Sequence, residues 1–302
     1  MLPVPDAVAA DLDALIARAL AEDVGTGDVT TEATIPEGTP ATARFLLKED
    51  GVVAGLAVAE RVFAAVDPDL AVEWTAADGD RLPAGTVFGT VRGRARSVLT
   101  AERLALNVVQ RMGGIATAAA AMAAAARPAT VLDTRKTAPG LRALDKWAVR
   151  LGGAQNHRAG LYDMVMVKDN HIAAAGGVRQ AVEAVGAYAQ RTGRDVPVEV
   201  EARTLDEVDA VLAAVDAGAR VDRILLDNMA RPTEAGLDVS LLAQAVARVG
   251  GRVQTEASGN VTFGTVAAIA ATGVDYISSG ALTHSVRALD VSLKVGLEMD
   301  SP

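Results

Sequence analysis

The second half of the chain repeats one pattern, a short apolar run rich in β-branched residues followed by a segment of helical character. Six such runs come after Pro128: ATVLD, DMVMVK, PVEVE, RILLD, RVQTEAS and VDYISSG. The polar residues that close successive runs are 21 to 33 residues apart, which is enough for a crossover helix between parallel strands. The alternation therefore predicts βα units built around a parallel sheet.

Two architectures accommodate such a sheet. One is a (β/α) barrel, in which six strands instead of eight mean that two strands are hidden or that the barrel is incomplete. The other is a doubly wound open sheet. In a barrel the carboxyl ends of the strands form the mouth of the active site, and here those ends carry Lys136, Lys168, Glu201, Asp227, Ser258 and Ser279.

The first part of the chain has a different texture. Residues 42–97 mix short strands with one helical segment, GLAVAERVFAAV, and indicate a compact α+β domain. Thr100 is a plausible N-cap for a helix that ends at Gly113-Gly114. We therefore predict an N-terminal domain over residues 1–113 and a catalytic barrel domain over 114–285.

Composition narrows the class of protein. A net charge of -9 argues against nucleic acid as a general partner, and the absence of Cys excludes disulfides, thiolate catalysis and zinc–cysteine sites. The N-terminal segment lacks a basic region and is interrupted by acids, so it predicts an amphipathic helix and not a signal peptide. The Ala-rich run 116–126 is too short to span a bilayer. We expect a cytoplasmic protein without a membrane partner.

Basic residues are concentrated in one window, residues 132–171. Three of the five Lys and two of the three His of this acidic chain lie there, which indicates a receptor for a small polyanion. Arg142, Lys146 and Arg150 are spaced about one helical turn apart and are interpreted as helix-surface residues. Lys168 follows the run MVMV, which looks buried, so its charge requires an anionic partner or a catalytic role. The candidate ligand contacts are Arg135, Lys136, His157, Arg158 and Lys168.

Carboxylates and glycine loops complete the predicted mouth. Glu201 and Asp227 close two strands and could act as counter-ions, face a developing positive charge or hold Mg²⁺ through a phosphorylated substrate. Glu199 should point to the same side as Glu201, one layer lower. Ser258-Gly259-Asn260 and Ser279-Gly280-Ala281 follow successive strands, where small residues let backbone N–H groups approach a phosphate.

These motifs together resemble the quinolinate phosphoribosyltransferase (nicotinate-nucleotide pyrophosphorylase, carboxylating) family. The resemblance covers almost the whole chain, through EDVGTGDVTT, AERLALNVVQRMGGIAT, DTRKTAPGLR, GGAQNHRAGLYDMVMVKDNH, VEVEA, LLDN, EASGN and SGALTHS. It implies an α/β fold with an N-terminal α/β sandwich and a C-terminal incomplete α/β barrel, which would explain the six strands. It also implies that a tail of about residues 286–302 returns to the first domain.

The resemblance further implies a reaction and a role for each matching residue. Quinolinate and phosphoribosyl pyrophosphate would give nicotinate mononucleotide, pyrophosphate and CO₂, with Mg²⁺ required and held mainly by the pyrophosphate near Glu201 and Asp227. Arg103 would come from the second subunit of a homodimer. The implied catalytic residues are Lys136, Glu201 and Asp227, and the implied binding residues are Arg103, Thr134, Arg135, Lys136, His157, Arg158, Lys168, Glu201, Asp227, Ser258, Gly259, Asn260, Ser279, Gly280, Ala281 and His284.

Three other functions remain open at this point. A paralogue of the same fold, such as the family members linked to molybdenum transport, would act on a different substrate, although a monocarboxylate would not need so many cations. A Schiff-base aldolase would use Lys168 as its nucleophile. A non-catalytic anion-binding protein would bind the ligand without releasing pyrophosphate or CO₂.

Overall fold

The computed structural model describes residues 4–234 and 236–297 of the chain. They divide into two compact units. Unit 1 contains residues up to 120, residues 138–153 and the segment from 285 onward, and unit 2 contains residues 121–137 and 154–284. Each unit therefore takes more than one stretch of sequence.

Unit 1 combines several helices with an antiparallel sheet. Its elements are α1 (Asp6–Asp23), α2 (Val29–Thr34), β1 (Pro40–Leu47), β2 (Gly51–Val52), α3 (Leu56–Val66), β3 (Ala71–Trp74), β4 (Arg81–Leu82), β5 (Val87–Arg94), most of α4 (Ala95–Ala125), α5 (Arg142–Leu151) and β14 (Val291–Leu297). The main sheet has the order β14-β1-β5-β3, and β2 pairs separately with β4. The strands and the helix predicted over residues 42–97 are confirmed.

The core of unit 1 is aromatic. Alternate residues of β1 are buried, as expected for a strand with one face on the core. Phe45 lies at the centre, with its ring centroid 4.9 Å from Trp74, 5.6 Å from Phe88 and 6.1 Å from Phe63. β14 pairs with β1 along its whole length, so a strand from the end of the chain completes this sheet.

The predicted helix boundary at Gly113-Gly114 is wrong. α4 is continuous from Ala95, before the predicted N-cap Thr100, to Ala125. The two glycines allow close packing instead of a break: a Cβ on Gly114 would lie 2.1 Å from the carbonyl oxygen of Arg287. The glycines are thus positions where another segment of unit 1 approaches the helix.

By length and composition alone, α4 could cross a membrane. Its contacts are those of a core helix. Its Val98, Val109 and Ile115 side chains are fully buried, and Thr117 accepts the backbone N–H of Val52. These contacts explain its apolar composition without a bilayer.

Unit 2 alternates strands and helices. Its elements are the end of α4, β6 (Thr130–Leu132), β7 (Val165–Val167), α6 (Asp169–Ala175), α7 (Val178–Thr192), β8 (Val198–Ala202), α8 (Leu205–Asp216), β9 (Arg223–Asp227), β10 (Arg231–Thr233), β11 (Gly236–Asp238), α9 (Ser240–Val249), β12 (Gln254–Ser258), α10 (Val266–Ala270), β13 (Tyr276–Ser278) and α11 (Ala281–His284). All six predicted strands are present, as β6, β7, β8, β9, β12 and β13.

The order of the main sheet decides between the two predicted architectures. The six parallel strands run β6-β13-β12-β9-β8-β7. From β7 onward each strand pairs with the next in sequence, the first strand pairs with the last, and β6 and β7 lie at the two edges. A doubly wound sheet would have its first strand in the interior, so that alternative is wrong. Gln155 forms a parallel bridge with Leu132 on the remaining side of β6, where a closed barrel would have another strand. The sheet is an incomplete barrel.

The chain therefore has an α/β fold with an antiparallel sheet in its first part and a parallel sheet in its second. The segment carrying α5 lies in unit 1, although the sequence assigned it to the barrel domain. The predicted domain boundary after residue 113 stays a prediction, and residues 298–302 of the predicted returning tail lie outside the described residues.

Candidate active site

The carboxyl ends of the six strands of unit 2 lie along one rim, because the strands are parallel and in register. Lys136 follows β6, Lys168 follows β7, and Ser279 follows β13. Glu201, Asp227 and Ser258 occupy the last positions of their strands or the position before. The fold thus places all six residues that the sequence predicted at the strand ends along the same edge of the sheet, the rim formed by the carboxyl ends.

Lys136, Gly280 and His284 form one group on this rim. A Cβ on Gly280 would lie 2.8 Å from Cδ of Lys136 and 2.9 Å from Cδ2 of His284, so both side chains pack over the glycine. The Thr283 hydroxyl donates to the carbonyl of Lys136 at 2.8 Å, and the N–H of Lys136 donates to the Thr134 hydroxyl. Lys136 is exposed. Its amine is therefore presented beside the glycine loop, and Ala281 begins the short helix that follows.

The second glycine loop, residues 258–260, lies against the loop after β9. The Asn228 N–H donates to the carbonyl of Ser258 at 2.8 Å, and a Cβ on Gly259 would lie 2.1 Å from the Asn228 side-chain oxygen. Asn260 has φ of 55°, a left-handed conformation that Gly and Asn adopt most readily. An Asn therefore fits this backbone position.

Arg135 and Arg158 are close enough to affect each other. Burial and the positive charge of Arg135 lower the pKa of Arg158. The Nε of Arg135 is buried and has no hydrogen-bond partner among the described residues. Two guanidinium groups that repel each other and retain an unused donor form a site suited to a multiply charged anion.

His157 is fixed from both sides. The buried Asp133 accepts the backbone N–H of His157 at 2.8 Å and the Asn156 amide at 2.7 Å. The Nε2 atom of the ring lies 3.0 Å from Glu199 and 3.4 Å from Glu256, while Nδ1 accepts the Arg158 N–H at 2.7 Å. The ring is buried, so its orientation is set by the protein.

The charges below His157 form a buried network across four adjacent strands. Arg223 on β9 lies 2.7 Å from Glu256 on β12 and 4.0 Å from Glu199 on β8, and its guanidinium stacks on Tyr276 of β13 at 3.9 Å. Burial lowers the pKa of His157, and the Arg158 N–H donated to Nδ1 also favours the neutral ring. The Glu199 and Glu256 carboxylates at Nε2 outweigh both effects and raise the pKa to about 9. Burial favours protonation of Glu256, yet His157, Ser278 and Arg223 lower its pKa.

His157, Glu199 and Glu256 also have the composition of a metal-binding group. The Arg223 guanidinium already pairs with the Glu256 carboxylate at 2.7 Å, and its positive charge would repel a metal ion bound there. Mg²⁺ prefers exchangeable oxygen ligands and bound water, which a fully buried cluster with an imidazole does not supply. The group therefore functions better as an ion-pair network than as a magnesium site.

Glu201 and Asp227 lie above this network. Burial and the negative charge of Asp227 raise the pKa of Glu201, whereas Arg203 and Lys168 oppose that increase. Glu199 and Glu201 lie two residues apart on β8 and therefore share a face of the strand. Glu199, in the lower layer, contacts His157 and lies 4.0 Å from Arg223, whereas Glu201, in the upper layer, pairs with Arg203. The upper layer reaches the rim and the lower layer does not.

Two interpretations of single residues need correction. Lys168 is exposed and follows a strand whose first two residues are only half-buried. Its charge therefore does not require an anionic partner or a catalytic role on the ground of burial. Lys146 is buried in α5, only 6 % exposed, and is not a helix-surface residue; Arg142 is half-buried and Arg150 is exposed. Arg103 is an exposed residue of α4 in unit 1.

Several residues on the rim and in the buried network below it were not identified from the sequence. They are Asp133, Arg203, Arg223, Asn228 and Glu256. A signal existed for Glu256, because it lies two residues before Ser258 and must point to the same face of its strand. Arg223 lies four residues before Asp227 on β9, so these two side chains also share a face of their strand.

Comparison with known proteins adds the family. The family model for the C-terminal domain of quinolinate phosphoribosyl transferase matches residues 115–294, and the model for its N-terminal domain matches residues 28–113. Quinolinate phosphoribosyltransferase [decarboxylating] 1b of Nicotiana tabacum is 56% identical over 292 residues, which cover 96% of this chain and 83% of the relative. A probable nicotinate-nucleotide pyrophosphorylase [carboxylating] of Synechocystis is 43% identical over 94% of this chain and 92% of its own.

Solved structures agree with this assignment. NadC of Streptococcus pyogenes has a TM-score of 0.86 at 39% identity, covering 96% of this chain and 98% of its own. The nicotinate-nucleotide pyrophosphorylase of Francisella tularensis has a TM-score of 0.87 at 35% identity, covering 97% and 98%. The chain belongs to the quinolinate phosphoribosyl transferase family.

Proposed function

We propose that this chain transfers the phosphoribosyl group of phosphoribosyl pyrophosphate to quinolinate, with decarboxylation, in the de novo synthesis of NAD. The observation that carries the proposal is 56% identity over 96% of the chain to a plant relative named as the decarboxylating transferase. The products are nicotinate mononucleotide, pyrophosphate and CO₂.

Quinolinate carries two carboxylates, and the paired cations of unit 2 suit them. Arg135 and Arg158 repel each other, so a dianion between them relieves that repulsion. His157, whose ring is held by the buried network, is proposed to line the same site, and the exposed Lys168 would supply a mobile charge. The repulsion between Arg135 and Arg158 favours a dicarboxylate over a monocarboxylate as the ligand. It therefore disfavours the function of a paralogue that acts on a different substrate.

The sugar phosphate donor would bind along the other part of the rim. Lys136 and His284 pack over Gly280, and residues 258–260 form the second glycine loop. Backbone N–H groups in such loops approach phosphate oxygens closely. Thr134, Ser258, Gly259, Asn260, Ser279, Gly280 and Ala281 are proposed to contact the donor, with Lys136 and His284.

The reaction needs positioning more than acid–base catalysis. The pyridine nitrogen attacks the anomeric carbon, and the bond from that carbon to the pyrophosphate oxygen breaks. Positive charge develops on the ribose, where the carboxylates of Glu201 and Asp227 would stabilise it. The ring nitrogen is then cationic and stabilises the electron pair that stays on the adjacent ring carbon when the carboxylate departs as CO₂. That carbon then uses the pair to take up a proton.

Mg²⁺ is proposed as the cofactor. Glu201 and Asp227 on the rim, with Asp169 nearby, offer the oxygen donors and the excess negative charge that suit it. We expect the ion to be held mainly by pyrophosphate oxygens near these carboxylates. When bound, it would neutralise charge on the pyrophosphate leaving group.

The active form is proposed to be a homodimer in the cytoplasm. Arg103 of one subunit would complete the quinolinate site of the other. Relatives of Nicotiana glauca and Arabidopsis are described as mitochondrial and chloroplastic, respectively, so the compartment differs among organisms. Arg103→Ala and Lys168→Ala proteins, each inactive alone, should regain activity when their subunits are mixed and exchanged. No recovery after demonstrated exchange would contradict the shared site.

The decisive experiment measures products. Purified protein with quinolinate, phosphoribosyl pyrophosphate and Mg²⁺ should release CO₂ and pyrophosphate in equal amounts. Turnover of another pyridine carboxylate but not of quinolinate would overturn the substrate assignment, and binding without release would indicate a non-catalytic protein. Borohydride trapping of a carbonyl substrate on Lys168 would instead indicate the aldolase.

A further inference from the structure

Arg203 lies in the middle of an acidic cluster on the rim. Its Nη2 is 3.0 Å from Glu201, its Nη1 is 2.8 Å from Asp169, and its Nε is 3.3 Å from Asp227. The three carboxylates follow or close three adjacent strands, β7, β8 and β9. One guanidinium therefore bridges the carboxyl ends of half the sheet.

The pairing is asymmetric in burial. Glu201 is only 5 % exposed, and its Oε1 accepts no hydrogen bond of normal geometry within the described residues, although the Arg203 Nη2 is near. The Arg203 side chain is 48 % exposed. Its backbone is anchored, because its N–H donates to Glu207 at 2.6 Å in the capping box of α8. A fixed backbone with an exposed side chain lets the guanidinium leave without unfolding the loop.

Charge also favours exchange. One guanidinium faces three carboxylates, so the cluster keeps an excess of negative charge and attracts a further cation. A ribose hydroxyl or a metal-bound water at Glu201 and Asp227 would need the carboxylate oxygens that Arg203 now occupies. The guanidinium and the donor with its divalent cation therefore compete for the same oxygens.

We propose that Arg203 is a displaceable positioning residue. In the donor-free protein it holds the Glu201 and Asp227 side chains together, and binding of the donor with its divalent cation displaces it toward solvent. The identity of the donor rests on the proposed function, but the competition between Arg203 and a divalent cation does not.

The first test measures Mn²⁺ binding to the donor-free protein by titration calorimetry. Removing a positive charge within a few ångströms of the ion should tighten binding about tenfold in Arg203→Gln. Arg179→Gln is the matched control, since it removes the same charge from an exposed pair with Glu183 in unit 2, and its affinity should stay within about twofold of wild type. Adding Asp227→Asn to Arg203→Gln should abolish the gain.

Equal Mn²⁺ affinities for Arg203→Gln and Arg179→Gln would overturn the proposal. Arg203→Lys serves as the second variant, because it keeps the charge but cannot bridge three carboxylates, and its affinity should lie between those of wild type and Arg203→Gln. The kinetic test is a split in KM: Arg203→Gln should lower KM for phosphoribosyl pyrophosphate and leave KM for quinolinate unchanged. A raised donor KM without tighter Mn²⁺ binding would make Arg203 a donor ligand and refute displacement. Absence of turnover in the wild type would refute the proposed function and leave the Mn²⁺ test intact.

Discussion

Glu256→Gln tests whether the buried network below the rim stabilises unit 2. The change keeps the shape of the side chain and removes one charge from the cluster of His157, Glu199 and Arg223. Glu256 is 1 % exposed, and Arg223 is 13 % exposed at 2.7 Å. Removing one partner of a buried ion pair leaves an uncompensated charge and costs about 3 to 5 kcal/mol. Because Gln can still accept one hydrogen bond from Arg223, we expect a loss of about 3 kcal/mol.

Asp209→Asn is the control. Asp209 pairs with Arg248 at 2.8 Å in the same unit, but both side chains are about half exposed. Such a pair contributes less than about 1 kcal/mol. In urea unfolding followed by circular dichroism, an m value of about 3 kcal/mol/M converts the expected losses into midpoint shifts of about 1 M and below about 0.3 M. A midpoint shift for Glu256→Gln no larger than that of Asp209→Asn would refute the reasoning.

Three further predictions concern helix packing, pH and the donor site. Gly114→Ala should destabilise unit 1 by about 1 to 3 kcal/mol, because the new Cβ would collide with the backbone at Arg287. Gly186→Ala in α7 is the control: a Cβ there has no atom within 4 Å, so the change should stabilise the protein by about 0.5 to 1 kcal/mol. Melting temperatures that shift in the same direction for both variants would contradict this prediction. The pKa of His157 is raised from 6.5 to about 9, so its stabilisation is full below pH 6.5 and is lost as pH rises through 9. The free energy of unfolding of His157→Gln should therefore vary less between these pH values, and parallel profiles would disprove the charge assignment. Gly280→Ala should displace the Lys136 side chain and lower kcat/KM for phosphoribosyl pyrophosphate at least about tenfold. An unchanged kcat/KM would show that Lys136 does not take part in donor binding.

The sequence predicted the strands of both sheets because strand formation leaves a local pattern. Alternation of apolar residues and regular spacing identified six parallel strands, and polar residues at their ends identified one rim. The pattern did not predict that α5 packs in unit 1, because helical spacing predicts that a segment is a helix but not which unit the helix packs against. Lys146 illustrates the difference: its spacing suggested a surface, yet the packing of α5 in unit 1 buries it.

Glycines were ambiguous for a related reason. A Gly-Gly pair in a helical pattern predicts a break when only the chain itself is considered. In α4 the pair permits contact with residues 287–289, which are more than 170 positions away in sequence. Close approach between distant segments leaves no local signature, so the helix was predicted to end where it continues.

Side-chain pairing was the least predictable part of the site. The partners of His157 lie 42 and 99 residues further along the chain, on β8 and β12. Arg203 was overlooked because nothing in the loop sequence shows that its guanidinium reaches three strand ends. Residue types and the period of two gave the faces of the strands, whereas the ionic partners depend on strand order, which only the folded sheet determines.

β8 shows how one strand supports two kinds of charge. Glu199 in the lower layer is fully buried, and the surrounding His157 and Arg223 are themselves buried or nearly so. Glu201, two residues later, pairs with a guanidinium that is half exposed. A buried cation can leave its partner only at the cost of an unpaired charge, but an exposed one can be replaced by a cation from solvent. The lower layer is thus suited to hold His157 in a fixed orientation, and the upper layer is suited to exchange its cation when a substrate arrives.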